Sequence, residues 1–178
     1  MKSTEVYRAL RADLTPVFKA VGFKRGNAML SWVRQQGGRH LVVWCQVSQD
    51  GWDDYAGSKF TVEFQLSDEP IVGARHIRRQ RLPKMLDEIE REEIRAIQNS
   101  VIASLRSPPA HHPALHASET VRSWYMEKFR RIDHPYSERD DIWLRYTNEQ
   151  QLAIWANFII RKLPACLKQA AAWAPEGT

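Results

Sequence analysis

Residues 60–66, Phe60-Thr61-Val62-Glu63-Phe64-Gln65-Leu66, alternate apolar with polar side chains. This period of two is typical of a β-strand with one buried and one wetter face, so Glu63 and Gln65 are predicted to lie on an exposed sheet face. Residues 41–45, Leu41-Val42-Val43-Trp44-Cys45, are apolar throughout, which favours a central strand. The preceding Gly37-Gly38 is typical of a hairpin turn. These features indicate an antiparallel meander, to which residues 29–34 and 142–146 add further strands.

Other segments repeat apolar residues every three or four positions, the period of an amphipathic helix. The predicted helices span residues 3–21, 82–105, 118–131 and 147–172. Pro16 is expected to kink the first helix or to start a second short one, because proline lacks the backbone donor that a helix needs. Pro164 is expected to end one helix and to open the next.

The pattern predicts an α+β fold, an antiparallel sheet of three to five strands with helices packed mainly on one face. A length of 178 residues suits one domain over residues 1–178. Residues 50–58, 68–81 and 106–117 are predicted loops. The proline-rich last of these is not interpreted as a domain boundary, because about 60 residues would remain after it and form a thin core.

The composition, 43% hydrophobic and 26% charged with a net charge of +5, is that of a globular and mildly basic protein. No apolar run is long enough to span a membrane, and the N-terminus carries no secretory pattern. Cys45 and Cys166 lie in apolar stretches without metal-binding spacing, so both are predicted to be buried, reduced thiols. We therefore expect a cytoplasmic protein without membrane association.

Two histidines could form a metal site. His112 and His116 are four residues apart, the spacing with which two imidazoles share a zinc ion on a helix. Pro113 lies between them and argues against a helix, so a solvated loop is the favoured interpretation.

A second candidate site is a set of carboxylates. Asp53 and Asp54 precede the strand that carries Glu63, an order found in metal-dependent nucleases. Gln65 stands where such enzymes carry a lysine, so the match is incomplete. The chain also lacks a GxSxG nucleophile elbow and a glycine-rich phosphate loop. We predict no catalytic residue, metal or cofactor, and a metal-dependent hydrolase or nuclease is the less favoured alternative.

The most unusual local composition is the basic loop 75–84, Arg75-His76-Ile77-Arg78-Arg79-Gln80-Arg81 followed by Lys84. Such charges bind phosphates, and nearby aromatic rings can stack on bases. The alternative is that the loop faces acidic residues 87–93 or the acids of a partner. The candidate binding residues are Trp52, Tyr55, Arg75, Arg78, Arg79 and Arg81.

Tryptophan is abundant, with seven residues in the chain. Most lie in stretches predicted as core or sheet, namely Trp32, Trp44, Trp124, Trp143 and Trp155. Trp52 and Trp173 lie outside those stretches, where an exposed tryptophan often anchors an interface.

The order of features resembles a family of small bacterial domains of unknown function. The resemblance rests on Gly22-Phe23-Lys24-Arg25-Gly26-Asn27 after the first helix, on the strands at 41–46 and 60–66, and on Asp141-Ile142-Trp143-Leu144-Arg145-Tyr146 before a capped helix. It implies no activity, cofactor or catalytic residue. Because some relatives are thought to lie beside toxin systems, it implies a partner-binding or immunity role.

The favoured function is therefore non-catalytic binding of a protein or small ligand. Binding of nucleic acid through the basic loop 75–84 is the alternative.

Overall fold

A computed structural model describes residues 1–129 and 143–173. The helices among these residues are α1 (Ser3–Ala20), α2 (Glu88–Ala103), α3 (Glu119–Glu127) and α4 (Glu149–Ala171). The strands are β1 (Lys24–Arg25), β2 (Ser31–Gln36), β3 (Arg39–Val47), β4 (Ser58–Ser67), β5 (His76–Arg81) and β6 (Leu144–Tyr146). Short 3-10 turns occupy Leu82–Met85 and Pro113–Leu115.

The strands form one antiparallel sheet in the order β1-β2-β3-β4-β5. Strand β6 pairs with the first residues of β4, and β5 pairs with its second half. The predicted α+β class is confirmed, and the described sheet has six strands where three to five were predicted. Gly37 and Gly38 turn the chain between β2 and β3 with positive φ angles of 56° and 73°, which glycine adopts without steric cost.

The core lies between the sheet and helices α1 and α4. Alternate residues of β4, from Phe60 to Leu66, join the apolar faces of the two helices in one buried cluster. Trp155 of α4 is fully buried there, and its Nε1 donates to the Arg145 carbonyl oxygen at 2.7 Å. Burying an apolar side chain of this size contributes about 2–3 kcal/mol, so this packing fixes which sheet face the helices cover.

Both helices that contain a proline continue through it. Helix α1 runs unbroken past Pro16 to Ala20, and α4 runs past Pro164 to Ala171. The predicted break at Pro164 and a second short helix after residue 15 are therefore wrong. Residues on both sides of each proline are buried in the core, and this packing outweighs the lost backbone hydrogen bond.

The segment predicted as a loop over 68–81 ends in strand β5. Within residues 76–81 only Ile77 is of a type enriched in strands, so the local sequence carries little strand signal, and the strand forms by pairing with β4. The helix predicted over 82–105 begins only at Glu88, after the 3-10 turn. Asp87 caps it by accepting a hydrogen bond from the Glu90 backbone N–H at 2.8 Å.

Helix α3 is less buried than predicted. Ser118 caps it as expected, but the helix ends at Glu127, and of its own residues only Tyr125 is buried. Trp124, assigned to the core from sequence, is 49% exposed. Arg131 and Ile142, the predicted end of this helix and start of β6, lie outside the described residues.

Candidate functional site

Residues 75–84, hereafter the basic segment, form one edge of the sheet through β5. Among the described strands, β5 has a partner on one side only, and its residues from His76 to Arg79 are exposed. Arg75 and Lys84 flank it and are exposed as well. The edge therefore presents unpaired backbone groups beside a concentration of positive charge.

Glu63 of β4 neutralises part of this charge. The Nε atom of Arg79 donates to Glu63 Oε2 at 2.5 Å, and the Nε atom of Arg81 donates to Oε1 at 3.2 Å. Glu63 is only 2% exposed, although its side chain lies on the sheet face opposite α1 and α4. The prediction of an exposed sheet face is wrong here, because alternation sets the side of a residue but not what covers it.

Gln65 is buried on the same face by the loop that precedes β5. Its Nε2 donates to the carbonyl oxygen of Ile71 at 2.9 Å, and its Oε1 accepts from the N–H of Gly73 at 3.0 Å. Both ends of the amide therefore hold the loop against the sheet. Gln65 has a structural role, and it does not face a carboxylate set.

Two arginines of β5 fold back over opposite faces of the sheet. The Arg78 guanidinium lies 5.2 Å from the ring centre of Trp173, on the helix side, and the Arg79 guanidinium lies 4.9 Å from that of Trp44. Consecutive residues of a strand point to opposite faces, which explains why Arg78 and Arg79 lie on different faces of the sheet. Trp173 is 7% exposed, so its predicted place outside the core is wrong.

The candidate aromatic residues lie at the other end of β4. Trp52 Nε1 donates to Asp54 Oδ1 at 3.0 Å, and Tyr55 lies in the turn closed by the bridge between Asp53 and Gly57. That turn leads into the start of β4, whereas Arg78 pairs with Leu66 near its end. Eight strand steps of about 3.3 Å separate the two ends by roughly 26 Å. The aromatic and basic candidates thus form two separate surfaces.

The surface around the turn at 53–57, here called the turn surface, brings several polar residues together that are far apart in the sequence. The His112 ring stacks on Tyr125 with centroids 4.8 Å apart, and Tyr55 meets His112 edge-on at 5.6 Å. Asp53 Oδ1 accepts from the backbone N–H of Tyr55 at 2.9 Å, which holds the turn. Burial, followed by the negative charge of Asp53, raises the pKa of Tyr125 to about 12. Tyr125 therefore stays protonated near neutral pH and cannot serve as a base.

The two histidines make separate structural contacts. His112 Nδ1 accepts from the Ala114 N–H at 3.2 Å, and His116 Nε2 lies 2.8 Å from the Ala110 carbonyl oxygen. Within residues 1–129 and 143–173, no group of three or more His, Cys, Asp or Glu side chains is placed to hold a metal ion. Glu63 is bound by arginines on the outer sheet face, so the proposed nuclease carboxylates are not assembled around it.

Three partners of the basic segment were not predicted from the sequence, namely Glu63, Trp44 and Trp173. Glu63 and Trp44 face each other across β3 and β4, and their alternation phase places them on one face. The phase of Glu63 was visible in the alternation of residues 60–66, but that of Trp44 was not, because residues 41–45 are apolar throughout. The pairing of β5 with β4, which carries Arg79 to the same face, was not visible either.

Comparisons with protein-family models, with curated proteins and with solved structures find no match for this chain. The resemblance to small bacterial domains therefore stays a prediction. None of the helices described has the length and apolarity needed to cross a membrane. The function is therefore inferred from the geometry of the basic edge.

Proposed function

We propose that the chain is a non-catalytic binding domain whose basic edge, residues 75–84, binds an acidic segment of a partner protein. The observation that carries this proposal is an exposed edge strand that bears arginines and that, in the part of the chain that the structure describes, has a sheet partner on one side only. Opposite charges accelerate the association of two proteins, so the positive charge of this edge favours an acidic partner and repels a basic one.

The charge that remains after internal pairing supports this function. Glu63 holds Arg79 and Arg81, but the exposed cations of Arg75 and Lys84 make no ion pair with a described residue. The edge therefore keeps positive charge at both ends of β5. A toxin, which the family resemblance implies as partner, would be one protein of this kind.

An acidic protein segment fits the edge better than nucleic acid does. Binding of single strands relies on aromatic rings beside the charges, and Trp52 and Tyr55 lie at the far end of β4. The nearer rings of Trp44 and Trp173 are buried and already covered by arginines.

The proposed setting is the cytoplasm. Cys45 and Cys166 are free and buried, as expected for thiols that stay reduced. Burial raises the pKa of the Cys166 thiol to about 12, so it is not a reactive thiolate.

The test uses the whole chain and a capped peptide of glutamate and valine, with a glutamine-and-valine peptide and single-stranded DNA as comparisons. We expect the acidic peptide alone to bind, with an affinity that falls as salt rises. The double variant Arg75→Ala/Lys84→Ala should weaken binding by about fivefold, since it removes two charges from the edge.

The matched control is Lys24→Ala/Arg25→Ala, which removes two exposed cations from β1 at the opposite edge of the sheet. This variant should bind the peptide as the parent does. Equal losses in both double variants would mean that net charge alone drives binding, against the proposal. Binding of DNA without binding of peptide would establish the nucleic-acid alternative instead.

A further inference from the structure

We infer that the partner segment binds as an added strand on β5, with its main chain hydrogen-bonded to the open edge and acidic side chains beside both sheet faces. This inference rests on the proposed function and specifies its geometry. Extended peptides commonly add to exposed sheet edges in this manner, with the main chain supplying affinity and alternate side chains supplying specificity.

The guanidinium groups of Arg78 and Arg79 do not extend outward from the edge of β5. Edge strands are often protected by charged side chains, by bulges or by a covering segment. Here Arg78 stacks on Trp173, while Arg79 stacks on Trp44 and is held by Glu63. Both side chains therefore lie back over the sheet, one on each face, and flank the edge without closing it.

The positive charges of Arg78 and Arg79 determine which kind of segment can pair with β5. A second copy of β5 would bring its arginines against these, and like charges directly across a strand pair are destabilising. A basic segment is disfavoured for the same reason. An acidic segment meets a guanidinium on each face, so neighbouring residues of the partner, which point to opposite faces, can both be acidic.

The register limits the length of regular pairing. The pairing of β5 with β4 shifts between Leu66 and Ser67, so that no residue of β4 lies opposite Ile77. Regular strand geometry is therefore found from Arg78 to Arg81, three strand steps that span about 10 Å at about 3.3 Å per step. Ile77 is 48% exposed and offers an apolar contact at the end of this stretch. The expected partner segment is thus short, with adjacent acidic residues beside an apolar one.

The experiment separates main-chain pairing from charge attraction by using three capped peptides of one sequence, Val-Glu-Glu-Val-Glu-Glu-Val. One is unmodified, one is N-methylated at alternate residues, and one is N-methylated throughout. The alternate pattern leaves one backbone edge of the peptide free, whereas full methylation removes both edges and changes no charge. Affinity and backbone amide exchange of the whole chain are measured for each.

We expect the alternately methylated peptide to bind within about twofold of the unmodified one, and the fully methylated peptide to lose at least about tenfold. Amides of β5 should exchange about tenfold more slowly with the first two peptides only. Equal binding of all three would overturn the added strand while leaving the proposed function intact. Failure of the unmodified peptide to bind would instead refute the proposed function, and β5 protection in a peptide-free dimer would identify a second copy as the occupant.

Discussion

The ion pair between Glu63 and Arg79 should contribute measurably to stability, in contrast to most ion pairs on protein surfaces. Two unit charges about 4 Å apart attract by about 4 kcal/mol at an effective dielectric constant of about 20. Removing Glu63 from water opposes this gain, and the Arg79 side chain is 36% exposed, so solvent screens it. We therefore expect a coupling free energy of about 1–2 kcal/mol.

A double-mutant cycle measures this coupling. The variants are Glu63→Gln, Arg79→Met and their combination, and the free energy of unfolding is measured in urea for each. Glu63→Gln alone should cost more than the coupling, about 2–4 kcal/mol, because Arg81 also loses its carboxylate.

The matched control is the pair of half-buried Arg39 and exposed Asp68, whose atoms Nε and Oδ1 are 3.2 Å apart. Its coupling should be about 0–0.5 kcal/mol and should vanish in high salt, whereas the coupling of Glu63 with Arg79 should persist because the Glu63 carboxylate is buried. A Glu63–Arg79 coupling below about 0.5 kcal/mol, or one that salt removes, would refute the reasoning.

Other positions allow independent tests. Gly57→Ala should destabilise the chain by about 2–4 kcal/mol, because a Cβ at its φ of +67° would overlap the carbonyl oxygen of Tyr146 in β6. Gly38→Ala is the control: its φ is +73° but the space around it is open, so it should cost only about 1 kcal/mol by thermal unfolding. Trp155→Phe should cost about 1–3 kcal/mol in urea unfolding, since it leaves a small cavity and an unpaired carbonyl, and an unchanged midpoint would contradict its burial. The hydrogen bond from Arg161 lowers the pKa of Glu93 below its ordinary value of 4.5, so the stability that this pair contributes is present above pH 4.5 and is lost as pH falls through the lowered pKa. Glu93→Gln should therefore reduce the loss of unfolding free energy at acidic pH. A pH dependence of unfolding free energy identical in shape to that of the parent would disprove this link.

The sequence alone determined the apolar faces of α1 and α4 and the antiparallel order of β2, β3 and β4, but it did not show that Glu63 and Gln65 are buried. The apolar run at 41–45 and the alternation at 60–66 each specify a strand, and Gly37-Gly38 permits the tight turn that joins β2 to β3. Helical periodicity likewise predicted α1 and α4. These features are local, since each depends on the chemistry of adjacent residues.

Only the tertiary structure decided the role of the basic segment. Residues 76–81 have little intrinsic preference for a strand, and they form one because β4 supplies a pairing edge. That pairing brings Arg79 to Glu63 and Trp44, and it brings Arg78 to Trp173 from the far end of the chain. Such contacts join residues that are distant in sequence. The composition therefore shows that the segment is basic but not which acidic and aromatic residues its arginines contact.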